Sequence, residues 1–288
     1  MHRARVIVNG DDFGKSPEFN EAILRAFRAG TLTSCSLMVT GEAFDEAVRL
    51  AKENDGLSVG IHLVTVQGKA ILPHSEIPQL VDREGNFQDS PVAAGLKYYF
   101  SGAAREQLAK ELAAQFQRFH STGLKLSHVD SHLHLHIHPV IFRAVLELAE
   151  RYEIRRMRVP YDDFWLAVRF QRKNLLKLAG IALIFWALTR RMKKHLLDRG
   201  FSFPERVYGH FYSSRMTLEY VLFVVDHLSA KTNEIYFHPA AFEEGCPSNG
   251  LQHRSAMELG VLASSELRKR LRDPDIKLTD YGGLAGAL

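Results

Sequence analysis

Two adjacent carboxylates, Asp11 and Asp12, stand directly behind an apolar run in VIVNGDDFG. Side by side they repel one another unless a cation or a proton lies between them. Neighbouring side chains in an extended or tightly turned segment point to different sides. One carboxylate can then bind a metal while the other takes a proton from the metal's water. The plainer reading of the same pair is an aspartate that opens a turn or caps a helix. A second cluster is denser: HVDSHLHLHIHP places five histidines between His128 and His138. Imidazole ligates zinc and related ions, and open catalytic sites use three protein ligands from His, Asp or Glu plus water. In a strand, alternate histidines would share a side; in a helix, His132 and His136 would share a face. The pattern allows both.

Two further histidines interrupt apolar segments, His62 in LSVGIHLVT and His238 in EIYFHPA. Each alone reads more readily as a hydrogen-bonded core histidine than as a ligand, but their shared place at strand ends favours chemistry. Arg158 in RMRVP can contact substrate or orient a carboxylate through its two-pronged guanidinium, and a structural ion pair is an equal reading.

These residues need elements to carry them. Short β-branched runs alternate with helix-length amphipathic segments, the order of an α/β domain with a parallel sheet. Strands are expected at Ala4–Asn9, Ser34–Val39, Leu57–Val64, Lys125–Asp130, Arg155–Pro160, Arg206–His210, Glu234–His238 and Ile276–Thr279. Helices are expected at Pro17–Ala29, Ala43–Asn54, Arg105–Thr122, Pro139–Tyr152, Leu218–Ala230 and Ser255–Arg270, the first with Ser16 as its N-cap. Such a repeat predicts a closed or nearly closed (β/α) TIM-like barrel of seven to eight parallel strands. Its chemistry collects on the loops after the strands' C-terminal ends. Asp11, Asp12, His62, Asp130, His132, Arg158 and His238 all fall there. The stretch 65–104 carries Pro73, Pro78, Gly85 and Pro91 and reads as a long loop with a short helix.

The chain has 288 residues, 46% of them apolar, and a net charge of +4, which fits one domain spanning 1–288. Cys35 and Cys246 lie far apart without metal-ligand spacing, so a disulfide framework is not expected and a reducing cytoplasm fits. The start, MHRARVIVNGDDFG, has no long apolar segment of the signal-peptide kind.

The stretches VNGDDFG, TSCSLMV, VGIHL, SHVDSHLHLH, RVP and FHPA resemble, in order and spacing, the YdjC-like carbohydrate deacetylases, which include the chito-oligosaccharide deacetylases. The resemblance implies an often distorted (β/α) barrel and one divalent metal ion, zinc or magnesium foremost, held by Asp12, His62 and His132. It further implies Asp11 as general base and His238 as the acid that protonates the leaving amine. The family commonly has Ala where this chain has Gly10. Arg158, Asp130 and His136 are candidates for substrate contact or for support behind the ligands.

A last segment fits the barrel repeat poorly. Within an expected helical insert at 163–199, almost every residue from Leu175 to Leu188 is apolar, with Lys and Arg clustered on both sides. A spanning helix needs about 20 apolar residues; this run is shorter and contains Lys177. It reads either as a buried helix with basic ends or as an interfacial helix lying in a membrane surface. Leu175, Leu176, Leu178, Ile181, Leu183, Ile184, Phe185 and Trp186 would make the lipid contact. The chain resembles most the hopanoid-biosynthesis-associated branch of the family, whose implied substrate is an N-acetylglucosaminyl hopanoid lipid. The expectation is a metal-dependent glycolipid N-deacetylase, cytoplasmic and peripherally associated with the inner face of the cell membrane. The alternatives are a deacetylase of soluble chito-oligosaccharides and a membrane-associated carbohydrate-binding protein without catalysis. Nucleic acid is not an expected partner, because the basic residues flank an apolar run instead of tiling a polar face.

Overall fold

The computed structural model describes residues 4–242 and 250–284. Seven parallel strands form its sheet: β1 Ala4–Phe13, β2 Ser34–Leu37, β3 Ser58–Leu63, β4 Val129–Ser131, β5 Arg206–Tyr208, β6 Thr232–Phe237 and β7 Ile276–Leu278. Their order is β4-β3-β2-β1-β6-β5, and β7 pairs with β1. Nine of the ten β1 residues are buried, as suits a strand covered on both faces. It pairs with β6 over Arg5–Gly10, with β2 from Asn9 to Phe13 and with β7 over Ala4–Val6. The sheet curls into a distorted barrel of the expected class.

The expected strand at Arg155–Pro160 is reduced to single bridges, Val129 with Met157 and Arg156 with Ser202. Arg158 N–H still donates to Val129 O at 3.0 Å, and Met157 N–H to Ser202 O at 3.2 Å. This extended piece therefore spans the gap between β4 and the chain leading into β5. Pro160 has no N–H to lengthen the ladder.

Helices fill the connections: α1 Pro17–Arg28, α2 Phe44–Lys52, α3 Pro91–Phe100, α4 Gly102–Ser121 and α5 Pro139–Arg151. They continue with α6 Phe164–Phe170, α7 Leu175–Asp198, α8 Leu218–Asp226, α9 Gly250–Ala263 and α10 Ser265–Leu271. Ser16 stands before α1 in extended conformation, but its hydroxyl bonds Glu18 and makes no cap. The apolar insert is two helices, α6 and α7, parted at Asn174, which is left-handed with φ 54°. On α7, Leu178, Ile181, Phe185 and Leu188 pack against the core, whereas Leu175, Leu176, Leu183, Ile184 and Trp186 are exposed. The eight expected lipid-contact residues thus divide between two faces. No described helix is long and apolar enough to cross a membrane. Cys35 is buried and free, and Cys246 lies outside the described residues.

Gly60 in the middle of β3 permits one close approach behind the site. The His128 ring lies against it, so a β-carbon there would stand 2.3 Å from His128 Cε1. The other face of that ring stacks on Tyr281 at 3.7 Å, which leaves no room to retreat. Gly60→Ala is expected to destabilise the protein by roughly 1–3 kcal/mol, as overpacking does; urea unfolding measures it, and an unchanged midpoint would contradict this packing.

Candidate metal centre

The ends of β1, β3 and β4 converge on one buried cluster. At the end of β1 the backbone of Asp12 turns left-handed, φ 66°, a conformation Asp tolerates better than most residues. The turn separates its carboxylate from that of Asp11. Asp12 Oδ1 lies 3.1 Å from His132 Nδ1 and 3.4 Å from His62 Nε2. Its Oδ2 accepts from Lys15 Nζ at 2.8 Å. Asp12, His62 and His132 are all buried and form a group able to hold a metal ion.

His62 supplies the test of fit. Its Nδ1 pairs with Asp130 Oδ1 at 2.8 Å, which directs the other ring nitrogen at Asp12. Nε2 is buried and has no hydrogen-bond partner. In the neutral tautomer a lone pair on Nε2 would face a carboxylate lone pair. Only a proton or a cation relieves that. Burial by itself would lower the His62 pKa, but the charge of Asp130, its hydrogen bond and Asp11 raise it above the ordinary imidazole value. Burial also works against charge on Asp12, yet Lys15 and His132 hold its carboxyl well below the usual range. A divalent cation fits this donor set.

Behind the ligands a buried network holds them. Arg158, expected as a substrate contact or a carboxylate clamp, is fully buried and is the clamp. It donates from Nη1 to Asp11 Oδ2 and from Nη2 to Asp11 Oδ1, both at 2.7 Å. It also meets Asp130 Oδ2 at 2.9 Å and Glu234 Oε1 at 2.6 Å. Asn9 Nδ2 donates to Asp11 Oδ1 at 2.7 Å, and Ser36 Oγ donates to Asp130 Oδ2 at 2.7 Å. Asp11, His62 and Asp130 form a second group of metal-ligand types. There the carboxylates already serve Arg158, so the first group has the free donors.

His238 follows β6 and places Nε2 4.0 Å from Asp11 Oδ2. Its ring is partly exposed, and its backbone N–H is fixed by Glu258 Oε2 at 2.6 Å. The histidine run is neither strand nor regular helix. His132–Ile137 is a tight helical stretch in which Leu133 and His134 are left-handed, φ 52° and 57°. That turn sends His132 inward to Asp12 and leaves Leu133 exposed. His134 Nε2 lies 3.0 Å from Tyr236 Oη, and His138 lies against Gly95 and Tyr99. His136 does not reach the open side. Its Nε2–H donates to Arg158 O at 2.9 Å, and its Nδ1 accepts from Ser131 Oγ at 2.7 Å.

Sequence reasoning did not single out Lys15, Glu234, Tyr236, Glu258 or Tyr281. Glu234 had a signal, a lone acid within the apolar strand TNEIYF; burial raises its pKa, against the pull of Arg158. Tyr281 donates to Glu234 Oε2 at 2.6 Å, a contact between distant segments with no local signature.

Two pH effects follow. Metal and proton compete for His62 Nε2, and the raised pKa favours the proton in the metal-free protein. Zinc affinity should therefore climb, with proton release, as pH rises through and beyond the ordinary imidazole range. Calorimetry in buffers of different ionisation enthalpy reads this, and a flat affinity would refute it. His136 behaves oppositely, since burial depresses its pKa to about 4. The unfolded chain then binds a proton that the folded one refuses as pH falls from ~6.5 to ~4, costing on the order of 3 kcal/mol by the lower end. Urea unfolding at stepped pH should show that loss, and His136→Gln should flatten part of the slope.

Comparison with known proteins agrees with this architecture. A sequence family described as YdjC-like protein matches residues 5–273. A carbohydrate deacetylase of Brevibacillus brevis is 36% identical over 97% of this chain and 99% of its own length. A chitooligosaccharide deacetylase of Escherichia fergusonii is 31% identical over 96% of this chain and 97% of its own. A solved structure from Enterococcus faecalis V583, described as a candidate cellobiose-phosphate cleavage protein, superposes with a TM-score of 0.73 at 24% identity. It covers 98% of this chain and 99% of that one, a likeness of fold.

Proposed function

The chain belongs to the YdjC-like protein family, and on that premise we propose that it is a metal-dependent N-deacetylase of N-acetylated sugars. The observation that carries this is the cluster of Asp12, His62 and His132 with Asp11 and His238 beside it. A divalent ion held there would supply a polarised amide carbonyl and a water of lowered pKa. Arg158 fixes both oxygens of Asp11, so the carboxylate has one orientation in which to take the proton of the attacking water. His238 Nε2, on the partly exposed side, delivers a proton to the nitrogen as the C–N bond breaks. Acetate and a free amino sugar leave.

The finer reading is that the sugar is an N-acetylglucosaminyl group on a hopanoid lipid and that the enzyme works peripherally at the inner face of the cell membrane. It is supported by the resemblance to the hopanoid-associated branch and by a groove of about 310 Å³ beside the site. Phe164, Trp165, Leu183, Phe185 and Trp186 line it together with His210. The His210 ring is 5.6 Å from that of His134, which meets Tyr236 next to His238. Soluble chito-oligosaccharide is the competing substrate, favoured by the activity named for the E. fergusonii relative.

Mass spectrometry of an N-acetylglucosaminyl lipid and of a chito-oligosaccharide, each incubated with enzyme and metal, separates the two by which one loses an acetyl group. Asp11→Asn should cut kcat by roughly 10²–10⁴ while one equivalent of metal stays bound, and His132→Ala should lose both. Full turnover by Asp11→Asn would remove Asp11 as the base.

A further inference from the structure

Two insertions rise from the same end of the barrel as the metal centre. One follows β3 and ends in α3; the other follows the extended piece at 155–161 and comprises α6 and α7. Parallel strands put these C-terminal ends on one face. Both α3 and α7 pack against the His132–Ile137 stretch that carries His132. Among the described residues each also leaves a largely exposed apolar stripe. On α3 it is Val92, Leu96, Tyr99 and Phe100, the last 76% exposed. On α7 it is Leu176, Leu183 and Ile184, with Leu176 92% exposed. Trp165 of α6 and Leu133, the neighbour of His132, are exposed as well. Both stripes follow helical spacing, so each is a continuous face.

We infer that the two stripes are one docking surface for an anionic phospholipid bilayer, toward which the metal centre opens. The inference rests on the lipid-linked reading, since a site facing the bilayer is what brings such a sugar to the metal. Charge selects this occupant. Arg169, Arg172, Lys173, Lys177, Arg190, Arg191 and Lys194 are exposed, and none is ion-paired among the described residues. No Asp or Glu lies between Asp163 and Asp198. Apolar side chains flanked by unpaired cations match the boundary of acyl chains and anionic head groups. A second copy is the poorer fit, because a two-fold interface would set the cationic patch beside itself.

The test uses the full chain with its metal and phosphatidylcholine vesicles with or without phosphatidylglycerol. Sedimentation should bring the protein down with the anionic vesicles, and less of it as salt rises. Leu96→Ser with Phe100→Ser should lower the partition roughly tenfold, and Leu176→Ser with Ile184→Ser likewise. The α3 pair should leave unchanged the hydrolysis of whichever substrate the enzyme turns over, detergent-dispersed lipid or free sugar, which reports that the fold and the chemistry are intact. Partition unaffected by the α3 pair would overturn the two-helix surface in favour of an α7 anchor. A dimer dissociated by these substitutions, with no vesicle binding, would overturn it in favour of self-association. Acetyl loss from detergent-dispersed lipid or free sugar tests the deacetylase and vesicle partition tests the surface, so either can fail without the other.

Discussion

A guanidinium shut away from water must be matched by negative charge, and Arg158 is matched three times, by Asp11, Asp130 and Glu234. Breaking one side of such a buried pair costs several kcal/mol, because the partner charge is left uncompensated. Each match also does something at the site. The pair with Asp11 aims the carboxylate beside His238, and the pair with Asp130 backs the residue that orients His62. The bond to Glu234 ties the centre to β6, and through Tyr281 to the end of the described chain. The strands around Arg158 are thereby held in the relative positions that the ligands require.

The network leaves Asp12 outside the reach of Arg158, with Lys15 and His132 as its main cationic support. Its partner Lys15 has a side chain 43% exposed to water, and screening weakens such a contact. Burial, a low pKa and an orphaned imidazole nitrogen together make a place that a divalent ion completes. Each ligand comes from a different strand end, so the site is only as precise as the parallel register between them. In β1 that register shifts between Gly10 and Phe13, where the two aspartates have to part.

The insertions after β3 and after the extended piece at 155–161 carry the most exposed apolar helix faces of the described residues. Where a barrel normally covers itself with polar helix faces, α3 and α7 expose apolar ones. Such faces oppose solubility unless something covers them. They are therefore informative about surroundings in a way that the buried centre is not.

The fold class, all seven strands of the sheet and the residue types available for chemistry were legible along the chain. Apolar strands ending in Asp11-Asp12, His62 and His238 announce themselves through alternation of burial and charge along a few residues. Although the family resemblance implied His132, residue types and spacing did not decide which of five clustered histidines meets Asp12. That depends on two successive left-handed residues, Leu133 and His134, and no local propensity favours that pair. Nor could they show that Arg158 clamps Asp11, since the partners are 147 residues apart. The same holds for Glu234 and Tyr281, 47 apart. The seam at 155–161 is short because barrel curvature and Pro160 limit its pairing, a property of closure and not of strand preference. Local periodicity encodes the elements and their faces. Only tertiary packing decides which buried charges meet, because that outcome is set by long-range register and by the cost of leaving any of them unmatched.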